Sequence, residues 1–395
     1  MRVLVLENET TSTRGGQELS LLDVCEGLAA RGHTIVLAYV TPGDLDPRYR
    51  RICERMVRVR AYAIDRRRTA ASLLEFAASL WAVVGTRPDV VYANQYLDSL
   101  FAAAVRRLWR VPFVCHLRLP PPDPLCGQFR IGMEQVSHLL AISNQTRLDW
   151  LARGFSPDAI DVVYNGIDAS KFERHDEPAA ARDVLGLPRE ALLVTYAGRL
   201  HPAKGVDTLI AAAGLVARTR PCHLVLAGRP AIMNGVDGRP RDYLAELRAV
   251  AERAGIASSI TWIEHQRDMP TLLRASDLTV LPSLWSEPFG RVVIESMACE
   301  TPVIASRVGG IPEILTGEFA RGLFEAGRVE SLAATIEAFS TWRADNPELG
   351  RRARAHVAAR FTIDRTVDGV ERALVRTIER FDTHAPLPVV ASRLH

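Results

Sequence analysis

The six cysteines of this 395-residue chain (Cys25, Cys53, Cys115, Cys126, Cys222 and Cys299) include no Cys-x-x-Cys pair. That pattern gives no support to a zinc site or a disulfide framework, and it predicts mostly buried free thiols in a reducing compartment. A Gly-x-Gly-x-x-Gly run is also missing, which counts against a nicotinamide-dependent dehydrogenase. Charge of one sign is scarce: 49 basic against 46 acidic residues leave +3, which makes no case for nucleic acid as a partner. Lysine is greatly outnumbered by arginine. Long apolar runs are short of the ~18 residues a membrane span needs. The longest candidate, Leu73 to Val84, is interrupted by Glu75 and Ser79 and predicts a helix packed in a core. The opening Met1-Arg-Val-Leu-Val-Leu predicts a strand, not a signal peptide, because acids follow at once. A cytoplasmic protein is expected.

What remains is a soluble globular composition, 48% hydrophobic, in a chain long enough for two domains. Short apolar runs alternate with amphipathic stretches throughout. Arg2 to Leu6, Thr34 to Val40, Val90 to Ala93, Phe113 to His116 and Leu139 to Ile142 predict strands in the first half. Leu192 to Ala197, His223 to Ala227, Ile260 to Ile263 and Leu278 to Leu281 predict strands in the second. Such alternation gives parallel sheets covered by helices on both faces, with ligands beyond the carboxyl ends of strands. The expected fold class is therefore α/β, with two similar Rossmann-like domains facing each other across a cleft. The first spans 1–168 and the second 169–364, and a C-terminal helix from about 365 returns to the first.

Three groups of residues at predicted strand ends carry chemistry. Gly15-Gly16 opens a helix, where bare backbone and the helix field suit a phosphate. His116 ends an apolar strand at the ligand face. Arg199 and Lys204 lie between Gly198 and Gly205 in one strand-to-helix loop, a fork and a point charge suited to a diphosphate. The richest stretch is Ser283 to Glu313. Glu287 lies in a loop, Pro288-Phe289-Gly290 turns it into a helix, and Glu295 lies about a turn and a half inside. Two carboxylates flanking helix-start N–H groups suit a ligand rich in hydroxyls.

Arg199…Lys204, Glu287-Pro-Phe-Gly…Glu295 and Thr301-Pro-Val-Ile-Ala-Ser…Gly309-Gly-Ile-Pro-Glu313 together resemble the retaining glycosyltransferases of family four, which have the GT-B fold. The match runs through nearly all of the second domain. In the first it is looser, resting on Arg14-Gly-Gly16, His116 and Asn165-Gly-Ile-Asp168. The resemblance implies a nucleotide-sugar donor. It assigns Glu287 to hydroxyls of the donor sugar with help from backbone at Phe289 and Gly290, Glu295 to the ribose, and Arg199 and Lys204 to the diphosphate. Arg291 joins the donor-binding set, Gly15 and Gly16 approach the diphosphate, and His116 positions the sugar. Gly228 and His265, after two strands, are assigned to the base.

Breaking a sugar–phosphate bond develops negative charge on the leaving diphosphate, and fixed cations stabilise it as it grows. No metal or other cofactor is expected on this reading; Asp44-Leu-Asp46 is a weak candidate for ligands. UDP-sugars are favoured over GDP-mannose as donors. The acceptor stays open among a lipid-linked sugar, a polysaccharide and a small metabolite, as does the oligomeric state. Rival readings are a GT-B nucleotide-sugar epimerase or hydrolase and a non-catalytic nucleotide-sugar binder. Finally, Arg48 to Arg68 holds nine arginines against two acids. It is a solvated face, a seat for an anionic acceptor, or a contact with an anionic membrane that would put the protein at the inner face of that membrane.

Overall fold

The computed structural model describes all residues except Arg14, 174–176, Ile232, 234–240, His265, Arg267 and 384–395. It divides into two compact units, Met1–Gly166 with the C-terminal helix, and Ile167–Thr362.

In the first unit the strands are β1 (Arg2–Glu9), β2 (Thr34–Thr41), β3 (Cys53–Arg58), β4 (Val90–Ala93), β5 (Phe113–Leu117), β6 (His138–Ala141) and β7 (Ile160–Val162). Between them run α1 (Gly16–Ala30), α2 (Asp46–Ile52), α3 (Thr69–Ala82), α4 (Ser99–Trp109), α5 (Gly127–Met133) and α6 (Asn144–Leu151). The sheet order is β3-β2-β1-β4-β5-β6-β7, and every pair is parallel. Consecutive residues of β1 show why the run had to be apolar on both faces. Val3 and Val5 pack with Leu21, Val24 and Leu28 of α1, while Leu4 and Leu6 pack with Phe101 and Val105 of α4.

The second unit holds β8 (Leu192–Ala197), β9 (Cys222–Ala227), β10 (Ile260–Ile263), β11 (Leu278–Leu281), β12 (Val303–Ser306) and β13 (Leu323–Phe324). Its helices are α7 (Pro178–Leu185), α8 (Val206–Val216), α9 (Tyr243–Arg253), α10 (Met269–Ala275), α11 (Arg291–Ala298), α12 (Ile311–Ile314), α13 (Val329–Phe339), α14 (Trp342–Asp345) and α15 (Leu349–Arg360). Again all strands are parallel, in the order β10-β9-β8-β11-β12-β13. The chain then re-enters the first unit as α16 (Ile363–Thr383). Val367, Val370 and Leu374 of α16 fill the same core as α1. Glu371 fastens the seam by taking Arg31 at 2.6 Å and His33 at 2.5 Å.

In both sheets the first strand of the unit's central pair is followed by strands on one side and then, after a crossover, by strands on the other. The order reverses between β1 and β4, and between β8 and β11. A crevice opens beyond the carboxyl ends at such a reversal, because neighbouring connections leave for opposite faces.

One expectation needs correction. The stretch from Leu73 is not a core helix: Leu74 is 72% exposed and Trp81 78% exposed. Together with the turn that follows, Thr69–Thr86 is long and apolar enough by length and composition to cross a membrane, so the short-run reading of the sequence was too strict. Ser72 and Ser79 are the buried polar positions instead, because they hydrogen-bond backbone groups of the preceding loop. The arginine-rich segment is spread over several elements. It folds as α2, the edge strand β3 and a turn, and Arg48 is drawn onto Glu26 of α1 at 2.7 Å. Asp44 and Asp46 serve their own loop. Asp44 accepts from Ser12 N–H at 2.8 Å, and Asp46 accepts from the Thr10 hydroxyl and from Gly43 N–H at 3.2 Å.

Gly27 marks the tightest point of the α1–α16 seam, since a Cβ there would lie 2.4 Å from Val367 Cγ2. Gly27→Val should cost about 1–3 kcal/mol of unfolding free energy through overpacking, a few tenths of which the better helix propensity offsets. Urea denaturation checks it, and a midpoint unchanged from the parent would show that the seam is loose.

Candidate active site

At the reversal of the second sheet, β8 ends in Gly198 and Arg199, and β11 ends in Pro282 and Ser283. Tyr196, buried in the core, donates its hydroxyl to the Arg199 carbonyl at 2.7 Å, so the strand end is pinned while the Arg199 side chain stays exposed. The guanidinium has no hydrogen bond or ion pair to another described residue. Six residues on, Gly205 caps α8 with φ +65°, a backbone state that glycine tolerates best. A Cβ at Gly205 would lie 2.1 Å from the Pro282 carbonyl, so the two loops meet only because a glycine stands there. Leu284 N–H then donates to the Ala203 carbonyl at 2.8 Å and ties them together.

This brings Lys204, one of only two lysines in the chain, onto Glu287. Lys204 Nζ lies 2.5 Å from Glu287 Oε2, with both side chains largely buried. Two further donors reach the same oxygen, Ser283 Oγ at 3.0 Å and Trp285 Nε1 at 3.1 Å. The Trp285 ring also carries Lys204 Nζ at 5.0 Å from its centroid, a cation–π contact. Glu287 Oε1 takes part in none of these bonds. The carboxylate is thus clamped by one oxygen and free to accept from a ligand with the other.

The loop continues into α11 through Gly290, which caps the helix at φ +94°. The Phe289 side chain is withdrawn into the core edge-on to Phe361, so backbone is what this residue offers a ligand. One turn into α11, Arg291 Nε donates to Glu295 Oε1 at 2.7 Å, and both side chains are 12% exposed. The Gly309-Gly310 pair has a clear purpose. Gly310 N–H donates to the Glu287 carbonyl at 2.8 Å, and a Cβ on Gly309 would lie 2.0 Å from that oxygen. Gly228 is also explained by packing, since its Cβ position is 1.8 Å from the Gly198 carbonyl. His265 lies outside the described residues. His201, in the same loop as Lys204, is held below its ordinary pKa by burial and then by Arg199 and Lys204, a sign of the positive field there.

In the first unit, the corresponding reversal gathers a buried polar network that motif reading missed. Glu7 near the end of β1 accepts from Asn94 Nδ2 at 2.7 Å, and Arg118 Nε donates to Asn94 Oδ1 at 2.7 Å. Arg118 also donates to Asn165 Oδ1 at 2.6 Å. Glu7 was legible as the first charge after an apolar run; Asn94 and Arg118 carry the same signal on β4 and β5. His116 is fully buried, with Nδ1 2.5 Å from the Tyr92 hydroxyl and Nε2 without a partner. Burial, and secondarily Arg118, keeps its pKa well below the ordinary range, so it stays neutral. Gly15 precedes α1 with open space where a side chain would stand, and Gly16 begins the helix. Among the described residues, no three His, Cys, Asp or Glu side chains are grouped to hold a metal ion.

Two parallel-sheet units, each with polar residues gathered at its strand-order reversal, define a GT-B protein. In the second unit a carboxylate is clamped beside a cationic loop. Residues 179–356 match the model of glycosyl transferases group 1, and residues 14–171 match that of glycosyltransferase family 4. The chain belongs to this family of glycosyltransferases, acting on a nucleotide sugar. Among curated relatives, it is 28% identical to a D-inositol 3-phosphate glycosyltransferase of Mycolicibacterium paratuberculosis, over 94% of this chain and 88% of the relative. It is 29% identical to the protein of that name from Mycobacterium avium, over 94% of this chain and 92% of the other. Among solved structures, Anabaena HepE in complex with UDP and glucose aligns with a TM-score of 0.79 at 23% identity, covering 95% of this chain and 100% of that one. Sucrose-phosphate synthase from Thermosynechococcus elongatus aligns with a TM-score of 0.78 at 21% identity, over 96% and 99%.

Burial, reinforced by Glu18, pushes the Glu7 carboxyl up to about 7 from its ordinary value near 4.5. Between those values the folded protein keeps a proton that the unfolded chain releases, so stability should fall as pH rises through that window. The fall attributable to Glu7 is on the order of 3 kcal/mol. Urea melts across this range should show the slope in the parent and a flatter profile in Glu7→Gln; equal slopes would refute the assignment.

Proposed function

We propose that this protein transfers a hexose from a UDP-sugar to an acceptor hydroxyl, with retention of configuration and without a metal ion. The observation that carries the reading is the convergence of Lys204, Ser283 and Trp285 on one oxygen of Glu287. The similar fold of Anabaena HepE, solved in complex with UDP and with UDP-glucose, supports the donor class.

The donor diphosphate is received by Arg199 and Lys204. Lys204 then exchanges one anion for another, at little cost to Glu287, which keeps its hydroxyl and indole donors. Glu287 Oε1 accepts from hydroxyls of the donor sugar, next to backbone at Phe289 and Gly290. Glu295, oriented by Arg291, accepts from the ribose, and the base lies along the loops that carry Gly228 and His265. The reaction breaks the bond from the anomeric carbon to the diphosphate oxygen and forms one to the acceptor oxygen. The acceptor proton goes to the departing diphosphate. Positive charge at Arg199 and Lys204 stabilises that oxygen as its charge grows, with no reorganisation at the moment of reaction. In the first unit, Gly15 and Gly16 offer backbone to phosphate and neutral His116 offers a hydrogen bond to a sugar hydroxyl. The acceptor is drawn from lipid-linked sugars, polysaccharides or small metabolites.

A thermal-shift panel of nucleoside diphosphates and nucleotide-sugars tests the donor, because a ligand that binds only the folded state raises the melting temperature. UDP and a UDP-sugar should give the largest shifts, and a panel with no shift would remove the reading. Lys204→Ala should lower turnover roughly 10²–10³-fold, the effect of removing one preorganised donor. Near-normal turnover would falsify its role at the diphosphate. Glu287→Ala should abolish transfer yet leave the UDP-induced thermal shift intact. Parallel loss of both would point to a collapsed loop instead of a missing sugar contact.

A further inference from the structure

The helix α3 is amphipathic in the reverse sense for a surface helix. Its polar residues face inward. Ser79 Oγ accepts from Arg60 N–H at 2.9 Å and Ala61 N–H at 3.1 Å, and Ser72 Oγ accepts from Asp65 N–H at 2.8 Å. Phe76 packs edge-on to Phe101 of α4 at 5.7 Å. The outward arc is apolar: Leu73, Leu74, Ala77 and Trp81 are exposed, and Val84 continues it in the turn beyond. Exposed apolar residues contiguous along three helical turns are unusual on a soluble surface and mark a binding face.

The rim of this face is basic. Arg67 and Arg68 are exposed at the N-terminal end, and Arg87 is exposed just past the C-terminal end. Exposed Arg55 and Arg58 lie alongside on β3, the edge strand, and Arg55 Nη1 is 3.4 Å from the Cβ position of Gly85. The nearby acids are committed. Glu54 pairs with Arg2, Asp65 accepts from Arg67 N–H at 2.9 Å, and Glu75 lies 3.8 Å from Arg68. An apolar strip with an indole on it and arginines around it matches an interface of acyl chains and acidic headgroups. Arginine stems can lie along the apolar layer while the guanidinium groups reach the phosphates. A second copy of the chain fits poorly, since a two-fold contact would set arginines against arginines at the ends of the strip. Spanning is excluded by the inward face, because lifting α3 away would strand the Arg60 and Ala61 amides.

We infer that α3 lies in the plane of an anionic lipid bilayer and docks this glycosyltransferase on it. The inference stands apart from the donor and mechanism proposed above. The test is co-sedimentation of the full chain with vesicles of phosphatidylcholine alone or mixed with phosphatidylglycerol, at low and high salt. The protein should pellet with the mixed vesicles, and less so as salt rises. Leu74→Glu with Trp81→Glu changes only exposed positions and should abolish pelleting. Arg67→Ala with Arg68→Ala should weaken it about fivefold per arginine removed. Each variant should keep the parent's melting temperature and its UDP-induced shift. No pelleting of the parent, equal pelleting with phosphatidylcholine alone, or pelleting indifferent to the two glutamates would overturn the inference. So would sedimentation velocity showing a dimer that the same glutamates dissociate.

Discussion

The reversal of strand order between β8 and β11 is the constraint on which the candidate site depends. Parallel strands deliver all their connections at one edge of the sheet, and at the reversal two of those loops must meet. They meet closely here because Gly205 leaves room for the Pro282 carbonyl. Everything chemical follows from that approach. Lys204 reaches Glu287 from a segment more than eighty residues earlier only because both loops start from adjacent strands.

The clamp on Glu287 combines a buried ion pair with two neutral donors. A buried ion pair contributes little net stability once desolvation is counted, yet removing one partner leaves an uncompensated charge. Ser283 and Trp285 soften that penalty, since two neutral donors remain when Lys204 turns elsewhere. The Gly309-Gly310 turn holds the Glu287 backbone independently of the side chain. Backbone and carboxylate are therefore positioned by separate contacts. The first unit follows a different rule. Its polar strand ends are fully enclosed, and the cost appears as a carboxyl pushed up to about 7 at Glu7 and an imidazole kept neutral at His116.

Helix α3 shows how a local polar requirement decides which face of a helix turns out. The loop before it presents amide groups that need acceptors, and the two serines supply them. With Ser72 and Ser79 inward beside Phe76 and Leu80, Leu73, Leu74 and Trp81 fall on the outward arc. An ordinary core helix would have put them inside and left those amides to water.

Much of the fold was legible in the amino-acid sequence, because parallel strands buried on both faces must be written as short, nearly unbroken apolar runs. The strands at Leu192, Ile260 and Leu278, and the Glu287 loop turning into α11, lie where the pattern put them. α2 and β3 were hidden under the arginines, since an edge strand needs apolar residues on one face only and β3 exposes the other. Glu287, Glu295, Arg199 and Lys204 could be named from motif spacing alone, as a motif states which residue types stand at which strand end. That Lys204 and Glu287 touch, that Trp285 shares the contact, and that Asn94, Arg118 and Asn165 form a chain were decided by tertiary structure. These contacts join segments tens of residues apart, and distance along a chain carries no information about distance in space until the sheet order is set. The same limit explains α3: its sequence determined a helix with one apolar arc, but only the position of the loop amides decided that the arc faces out.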